Sequence, residues 1–345
     1  MSDINKQSLH DRIKKKYENE NRICSVIYEV THKCPCDCIH CYLLKKPENE
    51  LTIDEIENLF KQLHKEGVIE LVLTGGEPFI RKDFSKILKA ASEHSFFTTI
   101  LTTGILIQNA EVKLLQKYRM KKIELSILGA GPETHDAIMR FPGAFNRLIK
   151  VVKLLKKADM LIALKATIME KNWKELDAMS QIAKKFDVAF TTSMHMSSRE
   201  NGDKAPLNLA IPPDKIKYLN PELIGFIPIS GDDLIVKNSL LCSAGTTVAA
   251  ISSSGDIFPC VLLREKLGNI RDESIEQIWH RNSSPFLAEL RNLDESDFKE
   301  CILCDYIDIC PRCIGISYME SKNITKPPST TCIIAREIFN LNKNK

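Results

Sequence analysis

Six short apolar segments punctuate the first part of the chain: 25–31 (SVIYEVT), 69–74 (IELVLT), 96–102 (FFTTILT), 122–127 (KIELSI), 161–168 (LIALKATI) and 187–192 (DVAFTT). Each is rich in β-branched or aromatic residues and ends in turn formers, so each reads as a strand. Between them, residues 53–66, 83–94, 109–118, 144–158 and 173–186 place apolar side chains at helical spacing. The first of these helices follows Thr52, with Glu55 three positions on, the spacing of a capping box. Strand and helix alternating in this way predict a parallel sheet with right-handed crossovers. Eight such units close a full barrel. Six predict a partial, open (β/α)6 TIM-like barrel, with something else covering the gap.

After about residue 193 the periodicity breaks. Residues 197–213 are rich in turn formers and read as a connector. The expected organisation is a polar lead-in at 1–22, partly helical, then the partial barrel at 23–210, a linker at 211–241 and a small cysteine-rich α+β domain at 242–345. The last domain shows little apolar periodicity and is expected to be organised by metal rather than by a second hydrophobic core.

The composition is globular: of 345 residues, 43% are hydrophobic and 27% charged, which excludes disordered and fibrous classes. Net charge is only +3, without a basic stripe, so a nucleic-acid partner is not expected. The polar first twenty residues hold no signal-peptide core, and no stretch is long and apolar enough for a transmembrane helix. The chain therefore reads as cytoplasmic, with no membrane partner. That reading changes the meaning of its 12 cysteines. In a reduced compartment, clustered cysteines point to metal or redox chemistry rather than disulfides.

Cys34, Cys38 and Cys41 form C-x3-C-x2-C directly after the first strand. Three thiolates on one loop can converge on one centre, yet they are one ligand short of a four-thiolate zinc site or 4Fe–4S cluster. The open position is where a substrate or cofactor can bind. Cys36 lies inside the same loop and by spacing alone substitutes for any one of the three; Cys24 reads as a buried apolar thiol. The second strand ends in Thr74-Gly75-Gly76-Glu77-Pro78, where paired glycines permit close backbone approach and Glu77 offers a carboxylate. The third ends in Thr102-Thr103-Gly104 and the fourth in Ser126-Ile127-Leu128-Gly129. On a parallel barrel these strand ends form the functional face.

The cysteine loop followed by Gly-Gly-Glu-Pro strongly resembles the radical S-adenosylmethionine (SAM) superfamily. The resemblance implies a 4Fe–4S cluster on Cys34, Cys38 and Cys41, with SAM chelating the open iron and the backbone of Gly75, Gly76, Glu77 and Pro78 holding its methionyl amine. It implies reductive cleavage of SAM to a 5′-deoxyadenosyl radical that abstracts a substrate hydrogen. Thr102, Ser126, Arg140 and Lys165 are the further candidates for the cofactor side of the cavity, Arg140 toward the SAM carboxylate and Lys165 from alternation on the fifth strand. Two positions depart from the family pattern: Leu128 stands where Asp is usual and Thr103 where Asn is common. His40 is expected to pack beside the cluster. Met194, His195 and Met196 follow the sixth strand, as cavity lining or as packing.

Cys242 and Cys260 are separated by a Gly255-Asp256 hairpin turn, and Cys301-x2-Cys304-x5-Cys310-x2-Cys313 and Cys332 follow. With Gly268-Asn269-Ile270 and Ile278-Trp279, this order resembles the SPASM extension of radical SAM enzymes, which carries two auxiliary 4Fe–4S clusters. The resemblance implies one cluster on Cys301, Cys304, Cys310 and Cys332, and another on Cys242, Cys260 and Cys313 with one ligand unassigned. The tight Cys310-Pro311-Arg312-Cys313 departs from the family's usual C-x3-C. Family members of this kind modify ribosomal peptides or proteins, by crosslinking, oxidation or epimerisation, and that is the leading expectation. The alternatives are a tetrapyrrole or other small-molecule precursor, and, from another class, a non-catalytic iron–sulfur or zinc protein. The same resemblance implies a low-potential electron donor such as flavodoxin or ferredoxin, oxygen sensitivity, and a separate leader-recognition protein if the substrate is a peptide, because the short lead-in leaves no room for such a domain.

Overall fold

In the computed structural model, residues 9–44, 49–224, 241–281 and 284–343 are described. The expected strands all form: β1 (Ser25–Thr31), β2 (Glu70–Gly75), β3 (Phe97–Thr102), β4 (Lys122–Ser126), β5 (Ile162–Thr167) and β6 (Ala189–Ser193). They pair in parallel and in chain order. The crossovers are α2 (Ile53–Lys65), α3 (Phe84–Glu93), α4 (Asn109–Lys117), α6 (Ala144–Lys157) and α7 (Leu176–Phe186), preceded by α1 (Leu9–Asn19) in the lead-in. The capping box is present as read: Thr52 Oγ1 accepts from Glu55 N at 3.3 Å, and Glu55 Oε2 accepts from Thr52 N at 2.7 Å. Within the barrel one further helix forms that was not predicted, α5 (Pro132–Met139), which is short and starts at a Gly-Pro step. Side chains between sheet and helices form one main core, from Tyr28, Leu71, Leu73 and Ile100 out to Phe60, Leu88 and Leu148.

The C-terminal part corrects the sequence reading in two ways. First, it shares the barrel's sheet, which the sequence reading did not foresee. Strand β7 (Val248–Ile251) adds in parallel to the free edge of β1, and β8 (Asp256–Phe258) and β9 (Gly268–Asn269) continue the same nine-stranded sheet antiparallel. The sheet is extended at β1, while β6 remains the other edge. Gly255, at φ +88°, makes the expected turn between β7 and β8. Second, this part has an apolar core of its own, with Ala244, Leu263, Leu290, Phe298, Ile314 and Ile324. Helices α9 (Pro285–Asn292) and α10 (Ile314–Ser321) contribute to it, while α11 (Ser329–Lys343), which carries Cys332, packs Ile334, Ile338 and Leu341 on the main core.

The described part of the 211–241 segment is likewise no bare linker. Short helix α8 (Pro213–Ile216) lies in it, and Ile211, Ile216, Leu219 and Ile224 are buried in the main core. The lead-in docks too: Tyr17 donates to Gly67 O at 2.6 Å, and Trp279 Nε1 donates to Asn21 O at 2.7 Å.

Candidate functional site

The chain leaves β1 through Thr31, His32 and Lys33 and enters the cysteine loop. The end of β2 packs directly under that exit. Gly76 N donates to Thr31 O at 2.7 Å and Glu77 N to Lys33 O at 2.9 Å. A Cβ on Gly75, already at φ +126°, would overlap the Thr31 carbonyl, and one on Gly76 would overlap Lys33 O and sit 2.9 Å from His32 O. The glycines are thus required by the backbone of residues 31–33 that enters the cysteine loop.

Glu77 does not offer its carboxylate to the cavity. It is fully buried and accepts from Thr102 Oγ1 at 2.6 Å, Thr103 N at 2.9 Å, Thr103 Oγ1, and Phe79 N at 3.3 Å. Burial pushes its pKa up, and the two threonines pull it back. It buckles the end of β2 to the end of β3. Pro78 is buried beside it. The side chains of Glu77 and Pro78 therefore support the rim from behind, and the backbone of Gly75 and Gly76 is what faces the cavity.

That cavity has a volume of about 1510 Å³ and runs from the cysteine loop to the C-terminal cysteines. Cys34, Cys38 and Cys41 line it with Gly75, Gly76, Thr102, Ser126, Arg140 and Lys165. All seven C-terminal cysteines line the same space. Arg140 ends α5 in the left-handed region, φ +50°, and its guanidinium is engaged by Asp37 of the cysteine loop at 3.1 Å. Both side chains are 60% exposed, so the pair contributes little to stability. Lys165 projects inward beside Glu124, Nζ to Oε2 3.5 Å, and Lys122 pairs with the other oxygen at 3.1 Å. Lys122 and Glu124 were missed, although their alternation with Ser126 on β4 was legible. His195 and Met196 line the cavity, while Met194 packs against the core. Burial lowers His195 to about 4, so it is neutral at physiological pH. Burial does the same to His40, beside the loop.

Within the loop, Cys36 hydrogen-bonds with Cys34 and Cys38, and these contacts together with burial push its thiol far up. It lines the cavity with the other three but is only 1% exposed, among Ile105, Leu128, Ile138 and Met139, whereas Cys34, Cys38 and Cys41 are half-buried. Proximity joins all four sulfurs; burial sets Cys36 apart.

The C-terminal cysteines fall into two electrostatically interacting sets: Cys242 with Cys260 and Cys313, and Cys310 with Cys332, Cys301 and Cys304. Among the described residues, no three donors converge on one ion-sized point. Burial raises Cys41 and Cys242 to about 11, and Cys260 and Cys310 to about 12. The sulfurs stand in sets of three and four around one cavity and not at single ion-sized points, which is the donor arrangement a multi-iron core takes. The donor sets therefore fit such clusters.

A buried network, invisible in the sequence, joins the cysteine loop to the C-terminal part. Glu29 of β1 accepts from Arg264 Nη1 at 2.8 Å and Nη2 at 3.2 Å and from Tyr42 OH at 2.6 Å, with His32 Nε2 at 3.3 Å. Arg264 also pairs with Glu200 at 3.5 Å, whose Oε1 accepts from Leu44 N at 3.1 Å. Tyr42 directly follows Cys41, so this network holds the end of the loop.

Comparison with known proteins agrees with this geometry. The family model described as the radical SAM superfamily matches residues 28–183, and the one described as an iron–sulfur cluster-binding domain, SPASM, matches residues 242–313. Together they account for more than half of the chain. The AdoMet-dependent heme synthase of Methanosarcina barkeri is 26% identical over 325 residues, covering 85% of this chain and 91% of that one. The PqqA peptide cyclase of Rhizobium meliloti is 27% identical over 284 residues, covering 75% and 74%. Among solved structures, Streptococcus suis SuiB bound to precursor peptide SuiA shares the fold, with a TM-score of 0.69, 18% identity, and coverage of 93% of this chain and 79% of that one. The radical SAM domain implies a 4Fe–4S cluster and SAM, and the SPASM domain implies auxiliary clusters. The chain is an enzyme of the radical SAM superfamily with a C-terminal SPASM domain.

Proposed function

We propose that the protein modifies a peptide or protein substrate by hydrogen abstraction. The observation that carries this is the single cavity shared by the cysteine loop and the C-terminal cysteines. At about 1510 Å³ it exceeds the roughly 300–1,000 Å³ of ordinary small-ligand sites. The clusters and SAM take part of that volume, and its run from the cysteine loop to the C-terminal cysteines supports a second reactant beside SAM. Peptide-modifying relatives, such as the PqqA peptide cyclase, support the same choice.

In this reading Cys34, Cys38 and Cys41 hold the SAM-binding cluster, Cys301, Cys304, Cys310 and Cys332 one auxiliary cluster, and Cys242, Cys260 and Cys313 the other. The bound cofactors supply the one-electron cleavage of SAM that yields the 5′-deoxyadenosyl radical. The chain positions and shields it. The backbone of Gly75 and Gly76 receives the amine end of SAM. Ser126 and Lys165 line the adjoining wall, and Glu124 orients Lys165. Arg140 belongs with the loop through Asp37. The barrel comprises 23–210 and the auxiliary domain 242–345, and β7 makes the two share one sheet. A low-potential flavodoxin or ferredoxin delivers the electron, a separate protein presents the leader of a peptide substrate, and the enzyme works in the cytoplasm.

The second reading, a tetrapyrrole substrate, is favoured by the AdoMet-dependent heme synthase match, which spans nearly all of both chains. One experiment separates the two. The anaerobically reconstituted protein is incubated with SAM, reductant and either a precursor peptide encoded nearby or an iron coproporphyrin. A mass change or solvent-deuterium uptake in the peptide supports the first reading. Porphyrin turnover with an unaltered, undeuterated peptide replaces it with the second.

A further inference from the structure

Arg312 stands between Cys310 and Cys313 in the tight pair that departs from the usual spacing. Its guanidinium lies 4.1 Å over the Phe298 ring, and Nη2 donates to Ile324 O at 2.9 Å and Thr325 O at 3.1 Å. Nε and Nη1 are buried with no partner. Two other buried arginines satisfy their forks on acids, Arg81 on Asp83 and Arg264 on Glu29, while Arg291, stacked on Trp279, leaves one nitrogen unmet. Arg312 has no acid partner among the described residues. A cation held with two desolvated, unmet N–H donors needs an acceptor to be worth keeping. Arg312 lines the same cavity as all seven C-terminal cysteines. Arg312 acts electrostatically on Cys242 and Cys313 of one set and on Cys310 and Cys332 of the other. It belongs to neither set alone.

We infer that Arg312 is a shared counter-charge for the two auxiliary clusters, its free Nε–H and Nη1–H donating to cluster sulfur and raising both reduction potentials. This rests on the reading that the seven C-terminal cysteines hold clusters. A thiolate-ligated cluster is anionic, and reduction adds one more negative charge while no atom leaves. A fixed cation with N–H donors therefore stabilises the reduced form more than the oxidised one, and hydrogen bonds to sulfur are among the levers that set such potentials. Arginine suits the position because it stays charged and its planar fork can serve two directions. Two clusters biased by one cation would also be coupled: reducing one weakens the bias available to the other.

The test uses the full chain, reconstituted anaerobically, as wild type, Arg312→Gln, Arg312→Lys and Arg291→Gln. Arg291 is a control: it too has a buried unpartnered nitrogen, but it packs on Trp279 and is shifted by burial alone, without cysteine neighbours. Iron per chain is measured first, then the cluster potentials by redox titration followed by EPR, with the Cys34/Cys38/Cys41 cluster as internal reference. Arg312→Gln should shift the reduction equilibrium of the auxiliary clusters about tenfold toward the oxidised form, about 59 mV lower for one electron. The reference cluster should not move, nor should any potential in Arg291→Gln. Arg312→Lys, keeping the charge and losing the fork, should fall between. A second readout needs only the wild type: with arginine ¹⁵N-labelled in its guanidinium, pulsed EPR of the reduced auxiliary clusters should show a ¹⁵N coupling. Unchanged auxiliary potentials in a fully loaded Arg312→Gln, or no nitrogen coupling in the wild type, would overturn the assignment. Iron for one cluster with zinc in the wild type would instead overturn the underlying reading of the seven cysteines.

Discussion

Replacing Arg264 by Gln should unfasten the cysteine loop from the C-terminal domain. Glu29 is 1% exposed and takes two of its four hydrogen bonds from Arg264. Burial alone would raise its pKa, but the hydrogen bond with His32, the Arg264 charge and its hydrogen bonds, and Tyr42 hold it down at about 2. Against an ordinary value of 4.5, that depression corresponds to about 3 kcal/mol of folding stability at neutral pH. Removing one partner of a buried pair costs about 3–5 kcal/mol by general experience, a similar magnitude. The sign follows from linkage: a depressed acid stabilises fully above about pH 4.5, and the contribution is lost as pH falls toward 2. Arg264→Gln should therefore lower the urea midpoint sharply at pH 7. Glu29→Gln/Arg264→Gln should recover part of the loss, since no charge is left buried. The assay is anaerobic urea unfolding of the four proteins of the cycle, followed by tryptophan fluorescence at Trp173 and Trp279. A single-variant cost below about 1 kcal/mol, the scale of a surface pair, would refute the clamp. So would a double variant as unstable as the summed singles.

Gly76→Ala should displace Lys33 and the loop it carries, so iron assay should find the SAM-site cluster depleted while auxiliary iron is retained; full loading would show that the backbone can yield. Glu77→Ala should cost about 2–3 kcal/mol by stranding the donors of Thr102 and Thr103, and should weaken SAM binding in calorimetry although its carboxylate lies outside the cavity; unaltered affinity would mean that the β2–β3 buckle does not shape the site. Cys36→Ser should keep the full iron complement, about 12 per chain for three 4Fe–4S clusters, whereas Cys34→Ser, Cys38→Ser and Cys41→Ser should each disrupt the SAM-site cluster. Loss of that cluster in Cys36→Ser would make Cys36 a ligand. Because His195 is neutral from about pH 4 upward, its titration should leave no inflection in SAM cleavage between pH 6 and 9, and an inflection abolished by His195→Gln would contradict that assignment.

Periodicity and local motif were enough to read six parallel strands, five crossover helices, the cysteine loop and the polar rim, because each depends on residues near one another in the chain. The strand period writes itself in alternation, and a loop of three thiols needs only its own spacing. What the tertiary structure decided depends on distant partners. β7 is four residues long, Val-Ala-Ala-Ile, and becomes a strand only because the β1 edge offers it hydrogen bonds. Glu29 and Arg264 are 235 positions apart, so neither residue announces the other. Glu77 looked like a ligand because a carboxylate beside glycines is polar and near a strand end; burial against Thr102 and Thr103 turned it into a fastener. The glycines were legible as a close approach, but what approaches them is the backbone of residues 31–33. The C-terminal cysteines announced metal by number. Their division into two sets came with the family resemblance, whereas Arg312, with donors unmet, was fixed by the packing of Phe298 and of the chain at Ile324 and Thr325 around its guanidinium.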